Sequence, residues 1–119
     1  MPQNNNSNLH LKALYCYFVE ENKYDDVYLK YNNKKIWPVD KRQQSIFMDT
    51  ETVLNVDING LDEGQELCIE LWDWDMLSLD DLLGTFNLQI EAGGPYSTDM
   101  TLNLKETKKA KYTLIWNVD

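Results

Sequence analysis

The chain has 119 residues, which is enough for one domain but not for a second core of comparable size. Its 20 acidic and 11 basic residues give a formal net charge of −9. That charge disfavours binding to nucleic acid, because phosphate contacts require clustered Lys and Arg. An anionic membrane would also repel the surface unless a cation intervened, so divalent cations and basic partners are favoured.

The sequence indicates one domain after a short polar segment. Residues 1–8 lack a basic region followed by an apolar run, so we expect a flexible leader and not a signal peptide. Residues 9–119 are expected to form the domain. No apolar stretch approaches the length that spans a bilayer, which predicts a cytoplasmic or peripheral membrane protein. Cys16 and Cys68 lie far apart in sequence, and we expect both to be free thiols.

Period-two alternation of apolar residues dominates the domain and predicts eight short strands. In the first strand it places six residues on one face: Leu9, Leu11, Ala13, Tyr15, Tyr17 and Val19. Seven more strands are predicted at residues 27–31, 36–46, 52–58, 67–71 and 84–90, from residue 100, and at 112–118. Gly93, Gly94 and Pro95 should break the chain, and residues 78–83 should form a loop with at most one helical turn. Eight such strands predict an all-β fold, an antiparallel β-sandwich.

Two acidic segments flank predicted strands. Asp73, Asp75 and Asp81 follow the fifth strand, and a second acidic segment at residues 20–26 connects the first two strands. Loops of a sandwich cluster at its ends, so the two segments can converge. Carboxylates crowded together repel one another, so that some must take up protons or share a hard cation. Ca²⁺ prefers several oxygen ligands in flexible geometry, and these loops would supply them.

The two segments resemble the calcium loops of C2 domains. Asp73, Asp75, Asp81 and Gly84 form the pattern D-x-D-x(5)-D-x-x-G, which is similar to the third calcium loop of that family. The run Asp26-Val27-Tyr28-Leu29-Lys30 resembles the D-P-Y-V-K segment that ends the first calcium loop. The resemblance spans roughly residues 9–118 and implies a C2-like sandwich. One strand precedes the first acidic loop, which resembles the type II strand order.

The resemblance also implies a set of Ca²⁺ ligands. The implied ligands are Glu20, Asp26, Asp73, Asp75 and Asp81, with Asp25 and Asp80 as candidate additional ligands. Val27 stands where the family usually has Pro, Glu20 stands where it usually has Asp, and the usual Gly of the first loop is absent. These departures bear on how many ions the loops would hold. A run of Asp that only solvates a turn is the alternative.

Three apolar residues, Met76, Leu77 and Leu79, lie between the acidic residues at an expected loop tip. In C2 domains such residues enter the lipid interface, and the alternative is that they pack onto the end of the sandwich. The sequence therefore favours a calcium-binding module that attaches to an anionic phospholipid membrane or to a protein partner.

A calcium-independent adaptor is the second hypothesis. Such a domain would bind another protein of a larger assembly through a sandwich face or a sheet edge. A basic patch formed by Lys34, Lys35, Lys41 and Arg42 resembles the head-group lysines of some C2 domains, although a solvated strand face explains it equally simply. We expect no enzyme, because His10 is the single histidine and neither a nucleophile motif nor a phosphate loop is visible.

Overall fold

The structure is a computed structural model that describes residues 6–19, 23–103 and 110–119. Two antiparallel sheets pack face to face, which confirms the predicted all-β sandwich. One sheet has the order β5-β1-β10-β8, and the other has the order β3-β2-β6-β7-β9, with β4 also pairing with β2. The strands are β1 (Ser7–Phe18), β2 (Tyr24–Tyr31), β3 (Lys34–Trp37), β4 (Gln44–Phe47), β5 (Thr50–Leu61), β6 (Glu66–Asp73), β7 (Asp81–Gln89), β8 (Gly93–Asp99), β9 (Thr101–Leu102) and β10 (Lys111–Val118).

The described ranges hold ten strands, two more than predicted. The predicted strand at residues 36–46 is divided into β3 and β4 around Pro38, which cannot donate to a sheet ladder. The predicted break at residues 93–95 opens β8, an edge strand. Gly94 has a φ of 115° and approaches β10 so closely that a Cβ atom there would lie 2.8 Å from Cβ of Asn117. Residues 78–83 form bends and the start of β7, with no helical turn.

The predicted facing of β1 is wrong beyond Leu11. Both neighbouring strands shift register between Leu11 and Ala13, so β1 contains a bulge. A one-residue shift moves every later side chain to the opposite face. Leu14 and Cys16 are therefore fully buried, and Tyr17 faces solvent. The same strand begins at Ser7, two residues before the predicted domain boundary, and residues 1–5 lie outside the described part of the chain.

The core lies between the inward faces of the two sheets. Alternation in β6 buries Leu67, Ile69 and Leu71 as predicted, and it continues to Asp73, which is only 5% exposed. An inward strand position therefore carries a carboxylate to the edge of the core. Both cysteines are free, with Cys16 buried and Cys68 exposed, as expected.

Three connections meet at one end of the sandwich, which we call the loop end. They are the connection after β1, the turn between β4 and β5, and the loop of residues 74–80 between β6 and β7. The pairing of Cys16 with Thr50, of Tyr24 with Phe47 and of Val27 with Asp73 brings them together. β1 alone precedes the first acidic loop and pairs with the last strand, β10, as the type II order implies.

Candidate functional site

Asp26 and Asp73 meet where β2 and β6 pair at the loop end. The backbone N–H of Asp26 donates to Oδ1 of Asp73 at 3.2 Å, and the N–H of Trp74 donates to the carbonyl oxygen of Asp26 at 2.7 Å. Ser45 Oγ donates to Oδ1 of Asp26 at 2.6 Å. The β-ladder therefore brings one residue of each acidic segment into direct contact.

Two further predicted ligands flank this pair along the chain. Asp81 begins β7 as the register partner of Asp73, and its side chain is exposed. Asp26, Asp73 and Asp81 thus occupy neighbouring positions on three adjacent strands. Glu20 lies outside the described residues.

Asp75 and Asp80 are engaged within the loop of residues 74–80. The N–H of Leu77 donates to Oδ1 of Asp75 at 2.8 Å, and Ser78 Oγ donates to Oδ2 at 2.7 Å. The hydrogen bond from Ser78 holds the pKa of the Asp75 carboxyl below its usual value. Asp80 accepts the N–H of Asp75 at 3.0 Å and the hydroxyl of Tyr28, and burial with this hydrogen bond raises the pKa of Tyr28. Both acids therefore stabilise the loop itself.

Asp25 is buried beneath the loop end rather than exposed on it. Its side chain has no accessible surface, and its Oδ2 accepts the hydroxyl of Tyr112 at 2.6 Å. Because Tyr112 belongs to β10 in the other sheet, this bond joins the two sheets. Burial raises the pKa of the Tyr112 hydroxyl and raises that of the neighbouring Cys16 thiol to about 11. The predicted candidate ligand Asp25 thus has a structural partner in the core.

The donor set suits a hard cation in its chemistry, since every predicted ligand is a carboxylate. The arrangement is not a finished cage, because in the described portion of the chain no three Asp, Glu, His or Cys side chains are close enough to hold one ion. Asp26, Asp73 and Asp81 have the positions to converge, whereas Asp75 is turned toward Leu77 and Ser78. Binding of a cation would therefore require side chains to turn toward one another.

The apolar tip of the β6–β7 loop stands in solvent. Met76 is 74% exposed, Leu77 is 90% exposed and Leu79 is 88% exposed. The alternative that these residues pack onto the end of the sandwich is therefore wrong. Exposed apolar groups in a cluster mark a surface that contacts a membrane or another protein.

A second apolar patch at the loop end was missed by the sequence interpretation. It consists of Phe18, Tyr24, Phe47 and Met48, each between 40% and 54% exposed. The rings of Tyr24 and Phe47 lie 5.4 Å apart. Tyr24 is three residues beyond Val27 on β2, hence about 10 Å above the rung where the β6–β7 loop begins. The two adjacent apolar residues between predicted strands, Phe47 and Met48, were the signal that could have revealed it.

Cationic side chains line a shallow groove beside the tip. Lys30 lies 4.8 Å from the ring of Trp72, which stacks on Tyr28, and Arg42 lies 4.8 Å from the ring of Trp74. Met76 and Leu79 form the other side of the same groove. Within the predicted basic patch, Lys35 instead donates to the carbonyl oxygens of Lys41 and Arg42. The flank of the loop end is therefore basic although its crest is acidic.

Comparison with solved structures identifies the fold. A structure described as a C2 domain superposes with a TM-score of 0.61 at 18% identity, over 95% of this chain and 98% of that chain. The first C2 domain of plant extended synaptotagmin 1, domain A, gives a TM-score of 0.54 at 10% identity, over 100% of this chain and 97% of that chain. A structure that holds two C2 domains of extended synaptotagmin 2, domains A and B, gives 0.54 at 19% identity, over 100% of this chain and 42% of that chain.

The chain therefore has the fold of a C2 domain, as the resemblance of its acidic loops implied. No family model matches the chain, and no curated protein matches it. Across the three described ranges, no helix is long and apolar enough to cross a bilayer.

Proposed function

We propose that the chain is a peripheral membrane-binding module that attaches to anionic lipid through its loop end, with Ca²⁺ as a cofactor. The observation that carries this proposal is the exposed tip of Met76, Leu77 and Leu79, with the second apolar patch at a similar height. Full burial of such a side chain contributes about 1.5–3 kcal/mol. Entry of the tip into a lipid interface would therefore supply most of the attraction. This is a role in binding, and it involves no catalytic step.

The charge of the loop end explains why a cation belongs in the proposal. Asp26, Asp73 and Asp81, together with Glu20 and Asp75, would hold Ca²⁺, which would supply positive charge between these carboxylates and the lipid phosphates. Without it, the acidic crest would repel an anionic surface while the apolar tip approached. Lys30 and Arg42 on the flank add attraction for anionic head groups.

Vesicle sedimentation tests the proposal in two parts. Vesicles of phosphatidylcholine with and without phosphatidylserine are pelleted with the protein in Ca²⁺ and in chelator. We expect pelleting only with phosphatidylserine and Ca²⁺. Absence from every pellet would reject the membrane, and equal pelleting in chelator would reject the cofactor. A melting temperature that rises in Ca²⁺ for the wild type but not for Asp73→Asn would support the cation site, because a ligand of the folded state stabilises it.

A calcium-independent adaptor is the second candidate, and the incomplete cation cage among the described residues favours it. In that role the two apolar patches of the loop end would bind a protein. Recovery of one stoichiometric partner in chelator, lost when Leu77 is replaced by Ala, would support the adaptor and contradict lipid as the target.

A further inference from the structure

The exposed tip raises a physical question, because burial does not hold it in place. Leu77 and Leu79 are about nine-tenths exposed. The adjacent groove, lined by Tyr28 and Trp72, would offer these side chains apolar surface if the loop folded over. Some other interaction must therefore keep the tip outward.

A continuous chain of hydrogen bonds runs from the sheet to the tip. Tyr28 on β2 donates its hydroxyl to Oδ2 of Asp80, and Oδ1 of Asp80 accepts the N–H of Asp75. The carboxylate of Asp75 then accepts the N–H of Leu77 and the hydroxyl of Ser78. All four carboxylate oxygens of Asp75 and Asp80 accept a hydrogen bond. The ring of Tyr28 is itself fixed by stacking on Trp72, with 6.5 Å between ring centroids and planes 11° apart.

We propose that Tyr28 and Asp80 are positioning residues: with Asp75 they form a latch that holds the apolar tip outward before any membrane or cation is met. This inference rests on the proposed function for its purpose, but the latch exists in the free protein. Asp80, predicted as a candidate additional Ca²⁺ ligand, acts here through the backbone of Asp75. A tip that is already ordered loses less conformational entropy on docking than a mobile one, and so favours binding.

Solvent exchange of individual amides, measured by NMR on the free protein in chelator, tests the latch directly. Tyr28→Phe removes one hydroxyl and keeps the ring, while Tyr31→Phe removes a hydroxyl at the far end of the same strand and serves as the matched control. We expect the amides of Asp75 and Leu77 to exchange roughly 2- to 10-fold faster in Tyr28→Phe, the range that the loss of one hydrogen bond allows. Amides of the β-ladders should be unchanged in both variants.

Exchange equal to that of Tyr31→Phe would overturn the latch. If Tyr28→Phe disturbs β2 itself, Asp80→Ala removes both bonds to Asp80 from outside the core, and the same acceleration at Asp75 is required. Vesicle binding by Tyr28→Phe should weaken in proportion to the loosened loop. Failure of the wild type to bind vesicles would reject the proposed function alone, because the exchange rates are measured without lipid.

Discussion

Replacement of the two exposed leucines at the tip gives the most direct measure of membrane contact. Leu77→Ala with Leu79→Ala removes three carbon atoms from each side chain. At about 0.8 kcal/mol for each buried CH₂ group, full burial in lipid would make each substitution cost about 2.4 kcal/mol of binding free energy. Half-burial of both side chains would still weaken vesicle affinity by about 50-fold, since about 1.4 kcal/mol is a factor of ten.

The folded protein should not notice the double substitution, because Leu77 and Leu79 are 90% and 88% exposed. Vesicle titration followed by tryptophan fluorescence measures affinity, and thermal melting measures stability. The control is Val53→Ala, which shortens a side chain that is 64% exposed on β5, in the four-stranded sheet and away from the loop end. Equal vesicle affinities for the control and the double variant would refute insertion of the tip. A large fall in melting temperature would refute the exposed placement of the tip.

Three further predictions concern the supporting contacts. Ser78→Ala frees an oxygen in the loop, so Ca²⁺ should bind about 2- to 10-fold more tightly by calorimetry, whereas Ser97→Ala on β8 should not change affinity. Tyr112→Phe removes the donor to a buried carboxylate and should lower the free energy of unfolding in urea by about 1–3 kcal/mol. Hydrogen bonds to two carboxylates raise the pKa of His10, so its stabilisation is complete below the ordinary pKa of 6.5 and is lost as pH rises through the raised value. Urea unfolding of His10→Gln from pH 6 to 8 should lack this decline.

Strand alternation predicted the fold because most of the core obeys it. In β5, Leu54 and Val56 point inward and Val53 outward, as the pattern requires. The bulge in β1 escaped prediction because Lys12 and Ala13 give no local signal, and only the neighbouring strands reveal that Leu14 faces the core. β8 was missed because two glycines and a proline are typical of a break, although an edge strand tolerates them.

The positions of the acidic residues were predicted more easily than their contacts. Pairing of β2 with β6 brings Asp26 to Asp73 as the convergence of two sandwich loops suggested. Sequence spacing could not reveal that Asp25 meets Tyr112, a residue 87 positions away in the other sheet. The contact between Tyr28 and Asp80 spans 52 positions and depends equally on the tertiary fold.

The acidic residues of the loop end therefore divide by the contacts that they make, and this division decides how a cation can be tested. Asp25 supports the junction of the sheets, and Asp75 and Asp80 order the tip, so their replacement alters structure even without a cation. Asp73 and Asp81 are register partners beside Asp26, and neither belongs to the latch. A variant that lacks all the acids at once would lose vesicle binding whether or not Ca²⁺ is involved. Asp81→Asn changes one exposed charge and leaves the hydrogen bonds of the latch in place, so a loss of Ca²⁺-dependent binding in that variant, with unchanged exchange at Leu77, would separate cation binding from the order of the loop.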